Sequence, residues 1–434
     1  MSADIAVQAG DWLPTDQVFL AHWLDELVKE VDEQKRVATL PMELDDSLAR
    51  FREFVYANAE VYVLFTDMFE QLSQKVTPTG YPQVRSFEQM LELVDKVVRT
   101  VPVFNSSGLV GFPINVILNW AMGTQAGFAA FLNKEVNQHL KVVLDGWGRF
   151  LESPDSRKPM KDGNWLSPRA LEAMSDPGRP FTELFDCDPD DEYLGFTSWN
   201  HFFTRSFRNV TRDRPVATGD EVIASACEAA PYRIRKNVER YEHFSVKGQP
   251  YSLAHLLDTA HKADAEPDVG DFVGGTVYQG FLAALNYHQW HSPVDGKVVA
   301  TRIVPGSYYS EAPAALCDPA APDISQGYIA HVATRALIFI EAANPRIGVL
   351  CFVAIGMAEV SSCKLDDKIK PGAGVVKGQR LGEFRYGGSS HCLVFRPGVE
   401  LDFVDAAKNA EANRDSPTKI LVNAKLATVG GWRG

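Results

Sequence analysis

The chain has 434 residues, which is long for a single core and points to two or three domains. Its composition, 45% hydrophobic and 23% charged, is that of an ordinary globular protein, and its net charge of −13 excludes a nucleic-acid surface built on clustered Lys and Arg. The opening "MSADIAVQAGDWLPTD" lacks the basic and apolar regions of a signal peptide, and the longest apolar run, residues 347–357, is far short of the ~20 residues of a membrane-spanning helix. A cytoplasmic protein with no nucleic-acid partner and no membrane span is expected. Six cysteines (Cys187, Cys227, Cys317, Cys351, Cys363, Cys392) lie apart without a CxxC pair, as reduced thiols would.

In chain order, residues 1–155 carry helical periodicity. "DQVFLAHWLDELVKEV" and "SFEQMLELVDKVVRTV" read as amphipathic helices. "LNKEVNQHLKVVLDGWGRFL" places Leu132, Val136, Leu140, Val143, Leu144, Trp147 and Leu151 on one face. Residues 156–180, rich in Pro, Gly and charge, read as a linker holding one short helix at "SPRALEAM". From 181 to 434 the texture is β: "GGTVYQGFL", "GKVVATRIV", "RALIFIEAA", "IGVLCFVAI" and "HCLVF" alternate with Gly/Pro turns. Two helical pieces, "SWNHFFTRSF" and "SLAHLLDTAHKA", interrupt it. The expected fold is α+β, a helical N-terminal domain packed on a β-rich one.

Several stretches are candidates for chemistry. In "NYHQWHSPVDG", His288 and His291 stand three apart, which on a helix would suit a metal. Pro293 and Gly296 favour a strand running into a turn instead, and no third ligand has recognisable spacing. Acid–base work or plain packing are the readings left for the two histidines. The Ala-His-Lys of "DTAHKAD" is faintly like a pyridoxal-phosphate lysine, but it continues a helix with no βαβ alternation around it, so Lys262 reads as a solvated lysine and no pyridoxal phosphate is expected. Asp367-Lys368 imitates a lipoyl hairpin, which shared strand-and-turn grammar explains. "GEFRYGGSSHCLVF", residues 382–395, is either a surface hairpin or a bond that the protein cuts in itself.

Taken together, the C-terminal motifs resemble the phosphatidylserine decarboxylase family of pyruvoyl enzymes. The likeness is collinear through "SWNHFFTRSFRNVTRDRPV", "SVKGQPYSLAHLL", "NYHQWHSPVDGKV", "VPGSYY" and "VVKGQRLGEFRYGGSSHCLVF", where Gly-Ser-Ser stands for the family's usual Gly-Ser-Thr. Further stretches, among them "GTQAGFAAFLN", "KVVLDGWGRFLESPDSR" and "IGMAEVSSC", are similar to the soluble fungal branch of that family.

The resemblance implies cleavage between Gly388 and Ser389, with Ser389 converted to a pyruvoyl group, the self-generated cofactor. His291 matches the family's base, and Glu228 in "ASACEAAP" falls where the orienting Asp stands, with Cys227 the other alignment. His288 is implied to touch the substrate carboxylate or return the proton. The fungal branch implies an aromatic L-amino acid as substrate, L-tryptophan giving tryptamine first among them, and a homodimer is common in the family. Two other readings stay open: a soluble phosphatidylserine decarboxylase, and a non-catalytic relative serving as a binding scaffold.

Overall fold

The computed structural model describes residues 17–38, 43–75, 77, 80–104, 112–161, 163–242, 251–311, 325–412 and 418–430. The first sixteen residues, the whole of "SVKGQP" (residues 245–250) and Cys317 lie outside them. Seven helices open the fold: α1 (Gln17–Val37), α2 (Asp46–Ala57), α3 (Ala59–Ser73), α4 (Phe87–Val98), α5 (Pro113–Met122), α6 (Gln125–Leu132) and α7 (Lys134–Glu152). Most start on a side chain that accepts a free amide of the first turn: Asp45, Asn58, Ser86, Thr124 and Asn133. Helix α5 differs. Its cap residue Phe112 makes no such bond, and the amide of Asn115 donates instead to Glu359, far along the chain, at 3.0 Å.

One expectation needs correcting here. Leu132 does not share the buried face of α7, because Asn133 caps a new helix and leaves Leu132 at the end of α6, 38% exposed. The helical pieces in the second half are also shorter than expected. "SWNHFFTRSF" is helical only over Trp199–Phe203, and "SLAHLLDTAHKA" breaks after Leu253–Leu256, where Asp258 is left-handed (φ 47°).

Among the described residues thirteen strands follow: β1 (Val222–Ala224), β2 (Ala230–Val238), β3 (Gly275–Leu282), β4 (Gln289–His291), β5 (Gly296–Val304), β6 (Arg335–Ala342), β7 (Val349–Met357), β8 (Cys363–Leu365), β9 (Gly374–Val375), β10 (Arg380–Phe384), β11 (Gly388–Phe395), β12 (Leu401–Phe403) and β13 (Lys425–Val429). Seven form an antiparallel sheet in the order β2-β3-β11-β7-β6-β5-β9, and two three-stranded sheets, β4-β10-β8 and β1-β13-β12, accompany it.

The large sheet is apolar on both faces. In β7, Cys351, Val353 and Ile355 join the core shared with the helices, while Leu350, Phe352 and Ala354 join the core shared with the small sheets. A strand buried on both sides reads as an unbroken apolar run rather than an alternating one, which is why residues 347–357 look as they do. The five described cysteines are free thiols.

Candidate active site

Gly388 and Ser389 are consecutive residues of β11, an inner strand of the large sheet between β3 and β7. The hairpin reading of "YGGSSH" fails, because Ser389 is paired with Leu282 of β3 on one side and Gly356 of β7 on the other. Its side chain is 1% exposed, and its hydroxyl finds no hydrogen-bond partner among the described residues. Ser390 points to the opposite face, where its hydroxyl accepts from Gln279 at 3.1 Å.

The backbone before the bond is strained. Gly387 has φ +146°, and a Cβ there would lie 2.6 Å from Ser361 Oγ and 2.9 Å from the Ala358 carbonyl oxygen. What crowds it is the loop after β7, in which Ala358, Glu359 and Ser361 are all left-handed (φ 54°, 45° and 44°). The loop is pinned to the cleavage segment by the Ser361 amide, which donates to the Tyr386 carbonyl at 2.8 Å. Clustered left-handed non-glycine residues cost on the order of 1–3 kcal/mol each and persist where surrounding structure holds them.

His288 comes to this segment through β10: the Phe384 amide donates to its carbonyl at 2.9 Å. Its ring stacks on Phe203 with centroids 4.1 Å apart, and Phe203 in turn meets Tyr386 edge-on at 5.5 Å. Both ring nitrogens are buried and unpartnered among the described residues. Burial, helped by the Arg205 cation, pushes its pKa down to about 3, so the ring is neutral.

His291 and Glu228 lie on adjacent segments, since the His291 amide donates to the Ala226 carbonyl at 2.8 Å. Their side chains nevertheless have separate partners. His291 Nδ1 donates to the Gly378 carbonyl at 2.7 Å, and Nε2 lies 2.9 Å from the Tyr287 hydroxyl. Burial lowers its pKa to about 4. Glu228 accepts from Arg214 at 2.7 Å and Lys419 at 2.9 Å, and Arg214 also holds Asp176 at 2.7 Å. Burial works against the Glu228 charge, but Arg214 and Lys419 outweigh it and keep its pKa below the ordinary carboxylate value. Cys227, the other alignment, is fully buried and its thiol is held neutral. Ser389, His291 and Glu228 are thus not joined by direct hydrogen bonds in the uncut chain.

Sequence reasoning missed Arg214, the contact of Tyr287 with His291, and the 358–361 loop. The first two stand inside quoted motifs ("TRDRPV", "NYHQWH"), and "IGMAEVSSC" contains the third. It also missed an aromatic cluster around Tyr386, whose ring meets Trp147 and Trp199 at 5.4 Å each and lies nearly parallel to Phe112 (6.3 Å, 16°). A groove of about 400 Å³ opens from the surface onto Val360, Ser362 and Tyr386. Among the described residues there is no group of three or more side chains able to hold a metal, and no helix is long and apolar enough to cross a membrane.

Two family models described as phosphatidylserine decarboxylase match the chain, over residues 45–174 and 199–415. It is 34% identical to the L-tryptophan decarboxylase of Psilocybe cubensis over 91% of this chain and 90% of that protein. It is 41% identical to the decarboxylase iboD of Amanita muscaria over 68% of this chain and 86% of that protein. The phosphatidylserine decarboxylase proenzyme of Chlamydia caviae is 31% identical over 53% of this chain and 70% of its own length. The chain is a decarboxylase that belongs to the phosphatidylserine decarboxylase family.

Proposed function

We propose that the chain cuts itself at Gly388–Ser389 and then decarboxylates an aromatic L-amino acid, L-tryptophan to tryptamine foremost. The observation that carries this reading is the Ser389 hydroxyl, buried without a partner beside a glycine whose conformation L side chains rarely adopt. Ser389 Oγ attacks the Gly388 carbonyl carbon, the amide becomes an ester, and the Ser389 nitrogen becomes a free amine. Loss of the Ser389 Cα proton then expels the Gly388 carboxylate, and water replaces the resulting imine nitrogen, leaving as ammonia, to give a pyruvoyl cap. His291, neutral and held by the Gly378 carbonyl with Nε2 as its proton acceptor, is the base, freed from Tyr287 by a side-chain turn. Glu228, fixed by Arg214 and Lys419, sets the field on that segment.

The residues present fit a pyruvoyl group: Gly387 leaves room that a Cβ would fill, and no neighbouring side chain hydrogen-bonds the atom that must be lost. When present, such a cap supplies the ketone that takes up a substrate amine and the electrons left by carbon dioxide. His288, neutral and stacked on Phe203, is assigned the substrate carboxylate, to which a neutral ring N–H can donate. The rings of Tyr386, Phe112, Trp147 and Trp199 give an aromatic side chain a surface to pack on. The name of the Psilocybe cubensis relative supports tryptophan, and the word proenzyme in the bacterial name supports processing.

Intact-mass measurement of purified protein, with carbon dioxide release from an amino acid panel and from phosphatidylserine liposomes, tests this reading. A fragment spanning residues 389–434 with a pyruvoyl terminus and release from tryptophan is expected. An uncut active chain, or release from liposomes alone, overturns it.

A further inference from the structure

Glu359 is the one acid in the strained loop that covers the cleavage segment. It is 0% exposed; one carboxylate oxygen accepts the Asn115 amide at the start of α5, and the other has no partner among the described residues. Among the described residues no cation answers it: the titratable groups that face it are the phenols of Tyr309 and Tyr386. Burial keeps the carboxyl largely protonated in the empty site, and the facing Tyr309 hydroxyl is itself without a partner, so the second Glu359 oxygen is a buried polar atom left unmatched among the described residues, open to a donor that would draw the group to its charged form. The surroundings say what kind. Phe112, at the cap of α5, lies nearly parallel to Tyr386, and Tyr386 is two residues before the Gly388 carbonyl. The loop that carries Glu359 is bonded to Tyr386 through Ser361, and the surface groove reaches Val360 and Tyr386.

We propose that the free oxygen of Glu359 accepts the ring N–H of a substrate side chain packed on Tyr386, so that this enzyme selects aromatic amino acids with a ring N–H over phenylalanine. The inference rests on the aromatic-substrate reading above and adds the residue that tells one aromatic from another. Burial lifts the Glu359 carboxyl to about 8, against the pull of the Asn115 and Ile114 amides. A ring N–H at the second oxygen would pull in the same sense as those amides, toward the charged form. A site built to hydrogen-bond a substrate donor discriminates strongly against an analogue that lacks it, because the acceptor is left bare.

The test compares kcat/KM for tryptophan, phenylalanine and 3-benzothienylalanine, which replaces the ring N–H by sulfur at nearly constant shape. Wild-type mature enzyme is expected to prefer tryptophan over the sulfur analogue by about tenfold or more. E359L should lower the ratio of kcat/KM for tryptophan to that for phenylalanine about 10- to 100-fold. Calorimetry should show tryptamine binding weakened and phenethylamine binding unchanged. Equal use of tryptophan and the sulfur analogue by wild type overturns the proposal without any variant, which covers the case that E359L fails to mature. So does an unchanged tryptophan-to-phenylalanine ratio in E359L. A mature wild-type enzyme inactive on every aromatic amino acid sinks the parent reading, and this one with it.

Discussion

Two neighbouring regions of the β-rich half treat buried polar groups in opposite ways. Around Glu228 and His291 every named group has its partner: Arg214 bridges Glu228 and Asp176, Lys419 reaches Glu228, and Gly378 and Tyr287 hold both nitrogens of His291. Around the 387–389 segment, the Ser389 and Ser361 hydroxyls, both nitrogens of His288 and His391, and one oxygen of Glu359 have none among the described residues. Paired buried networks rigidify a fold, whereas unpaired ones are held in place at a cost. The first region therefore reads as a rigid frame that holds His291 in place, and the second as the place where free energy is stored for reaction.

The sharpest way to break this contrast is Ser389→Ala, which should abolish both cutting and carbon dioxide release; decarboxylation retained in that variant refutes the pyruvoyl assignment. Next is His291→Ala, expected to slow appearance of the small fragment by about 100-fold or more, as loss of a general base does. Pulse-labelled cell-free synthesis followed on a denaturing gel reads it, and normal cutting would move the base elsewhere. Arg214→Met in the Ser389→Ala background strips Glu228 and Asp176 of their shared cation and should cost about 3–5 kcal/mol. An unshifted denaturant midpoint would mean that these bonds do not hold the paired region together. Gly387→Ala should slow cutting about tenfold, since roughly 1–3 kcal/mol of strain is added at the scissile segment.

The smallest effect expected is with pH. Because the His291 pKa is depressed to about 4 from an ordinary 6.5, the ring stays neutral from pH 8 to 5 and the cutting rate should change by less than about twofold there. The fold stability tied to this group is present above about 6.5 and is lost as pH falls toward 4. A rate that halves near pH 6.5 would show a solvated histidine instead.

Much of this was legible in the sequence. The unbroken apolar run at 347–357 announced β7, the 3.6-residue spacing announced α7, and the Gly-Gly-Ser-Ser stretch between apolar residues singled out the segment around Ser389 that is proposed to be cut. What could not be read was pairing across distance. Nothing in "TRDRPV" says that Arg214 will meet both Asp176 and Glu228, and nothing in "MAEV" says that Glu359 will cap a helix more than two hundred residues upstream. Helix ends were misjudged at Leu132 and Asp258 because a single cap or left-handed residue overrides periodicity there.

The position of β11 has one more consequence. Seven residues of the strand beginning at Ser389 are matched to β3 and eight of β11 to β7, so the piece released by the proposed scission would stay locked inside the sheet. Before such scission the fold assembles as one molecule; afterwards the same structure would be a complex of two polypeptides. Heat or urea that parts them turns recovery into a second-order encounter, so a spent preparation should regain its shape poorly on dilution where the intact precursor regains it readily.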